Sequence, residues 1–199
     1  MMKKHFHPLL IASPSGGGKG TLINRLLSDY PDIFKKAVST TTRKIREGEK
    51  QGVDRYFVSV SEFQKLIHED SFLEHAEFAG NFYGTTKKEF NDILHSGKIC
   101  MCEYDLQGIK TIHQKKIPCN FVFILPPSLE ILKERLKGRG SETEESLAKR
   151  LKIAEEEINF GNKSGIFQKI FVNDDFDKFY EEVKKYLTEI YPGIHLNKK

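Results

Sequence analysis

Residues 12–21 read ASPSGGGKGT directly after the apolar run Leu9, Leu10, Ile11. Gly16, Gly17 and Gly18 can turn successive backbone N–H groups onto an anion, and a following helix adds the positive end of its dipole. Lys19 then reaches toward the outer phosphates of a nucleoside triphosphate, and the Thr21 hydroxyl toward a phosphate oxygen. Two positions depart from the common phosphate loop. Ser13 stands where a first glycine is usual, which is tolerated if that position does not need positive φ. Gly20 stands where Ser or Thr often ligates Mg²⁺, so a metal here leans on phosphate oxygens and water.

A second signal is the placing of the arginines. Only 7 of the 32 basic residues are arginine, and all but Arg25 fall into two clusters: Arg43, Arg46, Arg55 and Arg135, Arg139, Arg150. Lysine suffices for a solvated surface, whereas a planar fork grips phosphate or carboxylate with two bonds. The clustering predicts two anion-binding regions. Two acids near the end of one apolar run, Glu103 and Asp105, are positioned either to hold metal-bound waters or simply to solvate a strand end.

These residues need a scaffold. Four apolar runs read as buried strands: Pro8 to Ala12, Ile99 to Tyr104, Asn120 to Leu125 and Lys169 to Val172. Helical stripes lie between them: Leu22, Ile23, Leu26, Leu27; Leu129, Leu132, Leu136; and Leu147, Leu151, Ala154, Ile158. Ser141 and Glu144 have the spacing of a capping box before the last stripe. Alternating strands and helices predict a parallel sheet covered on both faces, with ligands at the carboxyl ends of its strands. Residues 38–88, polar and rich in Thr, Gly and aromatics, interrupt the alternation and read as an inserted substrate subdomain. The stretch 130–160, with GRGSETEE as a hinge, suits a mobile lid.

The 199 residues suit one compact domain, and 38% hydrophobic with 30% charged residues suits a globular protein. No apolar run approaches the roughly 20 residues of a membrane span, and the start MMKKHFHPLLIAS is too short in its apolar part for a signal peptide. Cys100, Cys102 and Cys119 lack zinc or disulfide spacing. A net charge of +4 is too mild to argue for nucleic acid. The expectation is a cytoplasmic protein without membrane or nucleic-acid partner, as monomer or homodimer.

The stretches SPSGGGKGT, VSTTTRKIREGE, FLEHAEFAGNFYGTT, YDLQG, ERLKGRGSETEESLAKRL and FVNDD resemble guanylate kinases from about residue 8 to 190. The resemblance implies an α/β P-loop fold of three layers with a parallel central sheet, an inserted GMP-binding subdomain (38–88) and a helical lid (130–160). The core is then 1–37, 89–129 and 161–199. It implies transfer of the γ-phosphoryl of ATP to GMP with Mg²⁺. For ATP it implies Ser13, Pro14, Ser15, Gly16, Gly17, Gly18, Lys19, Gly20 and Thr21, with Asn173 near the adenine. Ser39, Glu74, Thr85 and Asp105 would surround guanine, and Arg43, Arg46 and Tyr83 the GMP phosphate. Lys19, Arg135, Arg139 and Arg150 would gather at the transferring group, with no direct protein ligand to the metal.

Chemistry supports a carboxylate at the base: guanine presents N1–H and an amino group side by side, whereas adenine turns an acceptor there. Composition alone does not separate Glu74 from Glu77; the resemblance selects Glu74. Arg55 stands where the family usually has a tyrosine on the GMP phosphate, so that contact falls to Arg55 or to Tyr56. Two other readings stand beside the kinase. One is a guanylate-kinase-like module that binds phosphopeptides; the other is a kinase for a different nucleoside monophosphate.

Overall fold

The computed structural model describes residues 6–78, 80–138 and 143–196. The element order is β1 (Leu9–Ala12), α1 (Lys19–Asp29), β2 (Phe34–Lys36), β3 (Thr40–Thr41), β4 (Tyr56–Phe57), α2 (Val60–His68), β5 (Phe72–Phe78) and β6 (Asn81–Thr86). There follow α3 (Lys87–Ser96), β7 (Ile99–Glu103), α4 (Leu106–Gln114), β8 (Asn120–Leu125), α5 (Leu129–Lys137), α6 (Glu144–Lys163), β9 (Lys169–Val172) and α7 (Phe176–Ile190).

The four apolar runs are strands of one parallel sheet, ordered β2-β7-β1-β8-β9. Alternation along β1 shows why its residues are apolar throughout. Leu9 and Ile11 pack on one face with Leu22, Ile23 and Leu26 of α1 and Phe179, Val183 and Leu187 of α7. Leu10 and Ala12 pack on the other with Ile93 of α3 and Ile109 and Ile112 of α4. A strand covered on both faces has no solvent side on which to place polar residues. Each buried Leu, Ile or Phe contributes about 1.5–3 kcal/mol. The edge strand β2, with only Phe34 buried, is one that hydropathy did not reveal.

The 38–88 stretch forms a second sheet, ordered β4-β3-β6-β5. Here β3 pairs parallel to β4 and antiparallel to β6, and β5 with β6 makes an antiparallel ribbon. Glu74 lies opposite Thr85 beside a register shift between Phe72 and Glu74. Helices α5 and α6 close a small core of their own through Leu132, Leu136, Leu147 and Ala154. The cap of α6 differs from the expectation: Thr143, not Ser141, is the N-cap, in a reciprocal box with Ser146. Among the described residues no helix is long and apolar enough to cross a membrane.

Candidate active site

The sequence runs from β1 through residues 13–18 into α1, so the glycines sit between the carboxyl end of a central strand and a helix N-terminus. Gly18 is the N-cap of α1 at φ 101°, and no side chain caps this helix. Among the described residues the other helices are capped by Ser59, Thr86, Asp105, Ser128, Thr143 and Asp175. The first turn of α1 also carries no acid. Its N–H groups and dipole therefore face outward without a competing oxygen from the chain, an arrangement suited to an anion. The described non-glycine residues at positive φ are Asp70 and Lys116, so Ser13 replaces a glycine without strain. Its hydroxyl bonds the Pro14 carbonyl at 3.1 Å. Thr21 is exposed on the first turn.

Lys19 crosses from α1 to the end of β7. Its ammonium donates to the Tyr104 carbonyl at 3.3 Å and lies 4.0 Å from Glu103 Oε1, with its side chain 17% exposed. Burial lowers its pKa, against the opposing pull of Glu103, Glu157 and Asp105. For Glu103 burial acts to raise the pKa, but Lys19 and Lys36, the latter at 2.8 Å, outweigh it and hold the carboxyl below its usual range. Glu157 on α6, which spacing did not single out, is raised by burial. An added anionic ligand would relieve Lys19 of its cost in charge.

The second arginine cluster reaches the same loop. Arg135 on α5 donates to the Asn173 carbonyl at 2.9 Å, and the Asn173 amide donates to the Gly17 carbonyl at 2.9 Å. Arg150 on α6 donates to Ser15 Oγ at 3.1 Å. Arg139 lies outside the described residues. Leu132 and Leu136 of α5 pack against Gly16, where an added Cβ would come within 2.9 Å of Leu132. The helices of residues 130–160 are thus set against the phosphate loop. Asn173, matched in sequence to the adenine, has a buried side chain already committed to bracing the loop.

The first cluster lies on the loop that joins β3 to β4 of the second sheet. Arg43 grips Glu49 at 2.7 and 3.0 Å and stacks over Phe57 at 5.5 Å. Glu49 also accepts from the Arg46 backbone N–H at 2.8 Å, while Arg46 itself is exposed. The Arg43 hydrogen bond, then that of Arg46, lower the pKa of Glu49. Arg55 donates to Ser39 Oγ and lies 5.8 Å over the Tyr83 ring. Tyr56 turns the other way, its hydroxyl donating to Glu89 Oε2 at 3.2 Å. Of the two residues expected to share one phosphate contact, Arg55 is the one beside Ser39 and Tyr83.

Glu74 is 6% exposed and accepts the Thr85 backbone N–H at 3.0 Å. Burial is the main reason its pKa is pushed up to about 7, with the Asp105 charge adding. Glu77, the rival by composition, is exposed. Asp105 caps α4 through the Gly108 N–H at 2.8 Å. A small cavity lined by Lys36, Ser39, Arg55, Thr85, Glu103 and Tyr104 joins the two sheets. A hollow on α7, lined by Lys184, Lys185 and Thr188 among others, shares no residue with this site. Glu49, Lys36, Glu157 and Tyr104 are neighbours that spacing missed: Glu49 meets Arg43 and the Arg46 N–H through the folding of one loop, and the others meet their partners only through tertiary packing.

The guanylate kinase family model matches residues 5–190. Among curated relatives, a guanylate kinase of Sus scrofa is 42% identical over 92% of each chain. A guanylate kinase of Clostridium perfringens is 44% identical over 90% of this chain and 81% of its own. A crystal structure of guanylate kinase from Anaplasma phagocytophilum aligns with a TM-score of 0.70 at 31% identity, covering 95% of this chain and 88% of that one. The SH3-kinase fragment of tight junction protein 3 shares the fold, with a TM-score of 0.51 at 13% identity over 94% of this chain and 58% of that one. A parallel sheet, an uncapped phosphate loop and a match across nearly the whole chain agree: the chain belongs to the guanylate kinase family.

Proposed function

We propose that this protein transfers the γ-phosphoryl group of ATP to GMP, and to dGMP as a minor substrate, giving ADP and GDP. The observation that carries the reading is the juxtaposition of an open anion cradle at α1 with a buried carboxylate, Glu74, in the adjoining sheet. The names of the relatives support the same substrates. The reading includes a core (1–37, 89–129, 161–199), a GMP-binding part (38–88) and a lid (130–160), a division supported by the second sheet within 38–88 and by the separate small core of α5 and α6.

In this reading residues 13–21 hold the ATP phosphates, and Lys19 balances the charge that builds on the outer ones. Glu74 accepts from N1–H and the amino group of guanine, with Ser39, Thr85 and Asp105 around the base. Arg43, Arg46, Arg55 and Tyr83 take the monophosphate, for which Arg43 must leave Glu49. Arg135 and Arg150, with Arg139, stabilise the transferring group as 130–160 closes. The attacking group is a GMP phosphate oxygen, largely deprotonated at neutral pH because a phosphomonoester's second pKa is about 6. No strong base is required, and catalysis is alignment with charge neutralisation.

Among the described residues no three His, Cys, Asp or Glu side chains cluster to hold a metal directly. Glu103 is occupied by Lys36, and Asp105 uses one oxygen as a cap, so both suit hydrogen bonds to metal-bound water rather than ligation. That fits a magnesium ion carried in with ATP, which supplies charge neutralisation between the phosphates. The described cysteines are free and buried, which suits a reducing, cytoplasmic setting. An ADP-release assay across GMP, dGMP, AMP, UMP and CMP tests the reading. Strong preference for GMP is expected, and equal use of AMP would overturn it.

A further inference from the structure

Tyr104 stands at the end of β7, between Glu103 and Asp105, and its main chain already takes the Lys19 ammonium. The ring is packed among Leu10, Ala37, Leu73 and Ile109. Gly108 of α4 lies so close that a Cβ there would come within 3.1–3.4 Å of Tyr104 atoms. The ring is thus wedged between strand and helix, with its rotamer held. Its hydroxyl is buried and meets no hydrogen-bond partner among the described residues. Thr85 and Cys102 are its polar neighbours, yet neither meets it with hydrogen-bonding geometry. Burial raises the phenol's pKa well above its usual value, so it is a neutral O–H donor at physiological pH.

A buried hydroxyl without a partner carries a standing cost, and polar groups of this kind are rare unless a ligand completes them. The surroundings point to which ligand. Tyr104 lines the cavity shared by Ser39, Arg55 and Thr85, and the Glu74 carboxylate lies within electrostatic reach of the phenol. If Glu74 accepts from the N1–H edge of a purine, the atom next to N1–H on one side is the carbonyl O6, an acceptor. An O–H donor beside Glu74 complements that carbonyl, as the carboxylate complements the N–H donors.

We propose that the Tyr104 hydroxyl is a specificity-determining contact that donates to the 6-oxo group of the bound purine monophosphate. This rests on the GMP reading above and extends it. Glu74 reads the N–H donors, and Tyr104 reads the adjacent carbonyl. A 6-amino purine presents a donor where Tyr104 needs an acceptor, so the two residues reject it from both sides.

The test is Tyr104→Phe, which removes one oxygen and keeps the ring. GMP and IMP, which share the 6-oxo group, are titrated into wild type and variant by calorimetry. The variant is expected to bind both about fivefold to tenfold more weakly. The KM for ATP stays unchanged, and the melting temperature without ligand stays equal or rises, because an unpaired buried hydroxyl has gone. Unchanged GMP affinity would overturn the proposal. A loss confined to GMP would overturn it too, by moving the contact to the 2-amino group. A ligand-free melting temperature several degrees lower would overturn it by making the hydroxyl a structural one. Wild type that binds no GMP would instead sink the functional reading on which the proposal rests.

Discussion

The side-chain amide of Asn173 and the glycines at positions 17 and 18 form one closed contact. Asn173 Nδ2 donates to the Gly17 carbonyl at 2.9 Å, and a Cβ on Gly18 would stand 2.1 Å from that same nitrogen. Gly18 is also at φ 101°. Position 18 is therefore glycine for two independent reasons, left-handed backbone and absence of space. Position 20 has neither constraint, since nothing lies within 4 Å of an added Cβ.

Substituting these two glycines should give opposite results. Gly18→Ala shifts the loop off Asn173 and is expected to lower kcat/KM for ATP by about a hundredfold, the scale of a small misplacement at the reacting centre. Gly20→Ser, which restores the hydroxyl usual in phosphate loops, is expected to keep activity within a few-fold. Steady-state kinetics on both variants checks the contrast. Equal losses would show that the loop senses any change rather than this contact.

Asn173→Ala leaves the Gly17 carbonyl without its partner, in a buried loop. The expected cost is about 1–3 kcal/mol of stability, read by chemical denaturation, together with a raised KM for ATP. A raised KM with unchanged stability would assign Asn173 to the nucleotide instead of to the loop.

Glu74 makes the ligand-free protein sensitive to pH. Its carboxyl has an ordinary value of 4.5 and is pushed up to about 7 in the fold by burial. Between those values the native state binds more protons than the unfolded state, so stability falls as pH rises from about 4.5 to 7. The trend amounts to about 3 kcal/mol over that window and should vanish in Glu74→Gln. Guanine N–H donors favour the carboxylate, so GMP binding at pH 7 should release about half a proton from this group. Calorimetry in buffers of different ionisation enthalpy measures the release, with Glu74→Gln giving the share due to the phosphate. Identical proton release by both proteins would remove Glu74 from the base site.

Arg55 and Tyr56 divide their work by the way each side chain turns. Arg55 faces Ser39 and Tyr83, whereas the Tyr56 hydroxyl is taken by Glu89. Arg55→Ala is expected to raise the KM for GMP roughly tenfold, the scale of one charge-assisted bond, with the KM for ATP unmoved and Arg55→Tyr recovering most of the loss. Tyr56→Phe should lower stability and leave the KM for GMP alone. The reverse pattern would hand the phosphate to Tyr56.

How far the sequence announced this molecule depends on the range of each interaction. β1, β7 and β8 are legible because strands buried on both faces must be apolar along their length, and the loop after β1 because its chemistry lies in consecutive residues; the edge strand β9, with only Phe171 buried, is legible from the apolar triplet Ile170, Phe171 and Val172 alone. The edge strand β2 is not legible, since its one buried residue, Phe34, is followed by two lysines and makes no apolar run. The α6 cap reads two residues early from sequence because Ser141 and Thr143 both offer a hydroxyl, and the helix starts at Glu144. Glu74 needed the family resemblance, as its burial comes from β6 and not from its neighbours in sequence. The Arg43–Glu49 clamp and the lone Tyr104 hydroxyl are products of folding that no spacing rule contains.

The central claim is that one site holds ATP at the α1 cradle while another presents GMP to it. The most direct measurement follows the γ-phosphoryl of labelled ATP in wild type and in Lys19→Ala, with GMP binding to both measured by calorimetry. Wild type should place the label on GMP and not on AMP. Lys19→Ala should nearly abolish the transfer yet bind GMP close to normally. A label released to water in wild type, or a folded Lys19→Ala that loses GMP affinity in step with transfer, would contradict the account.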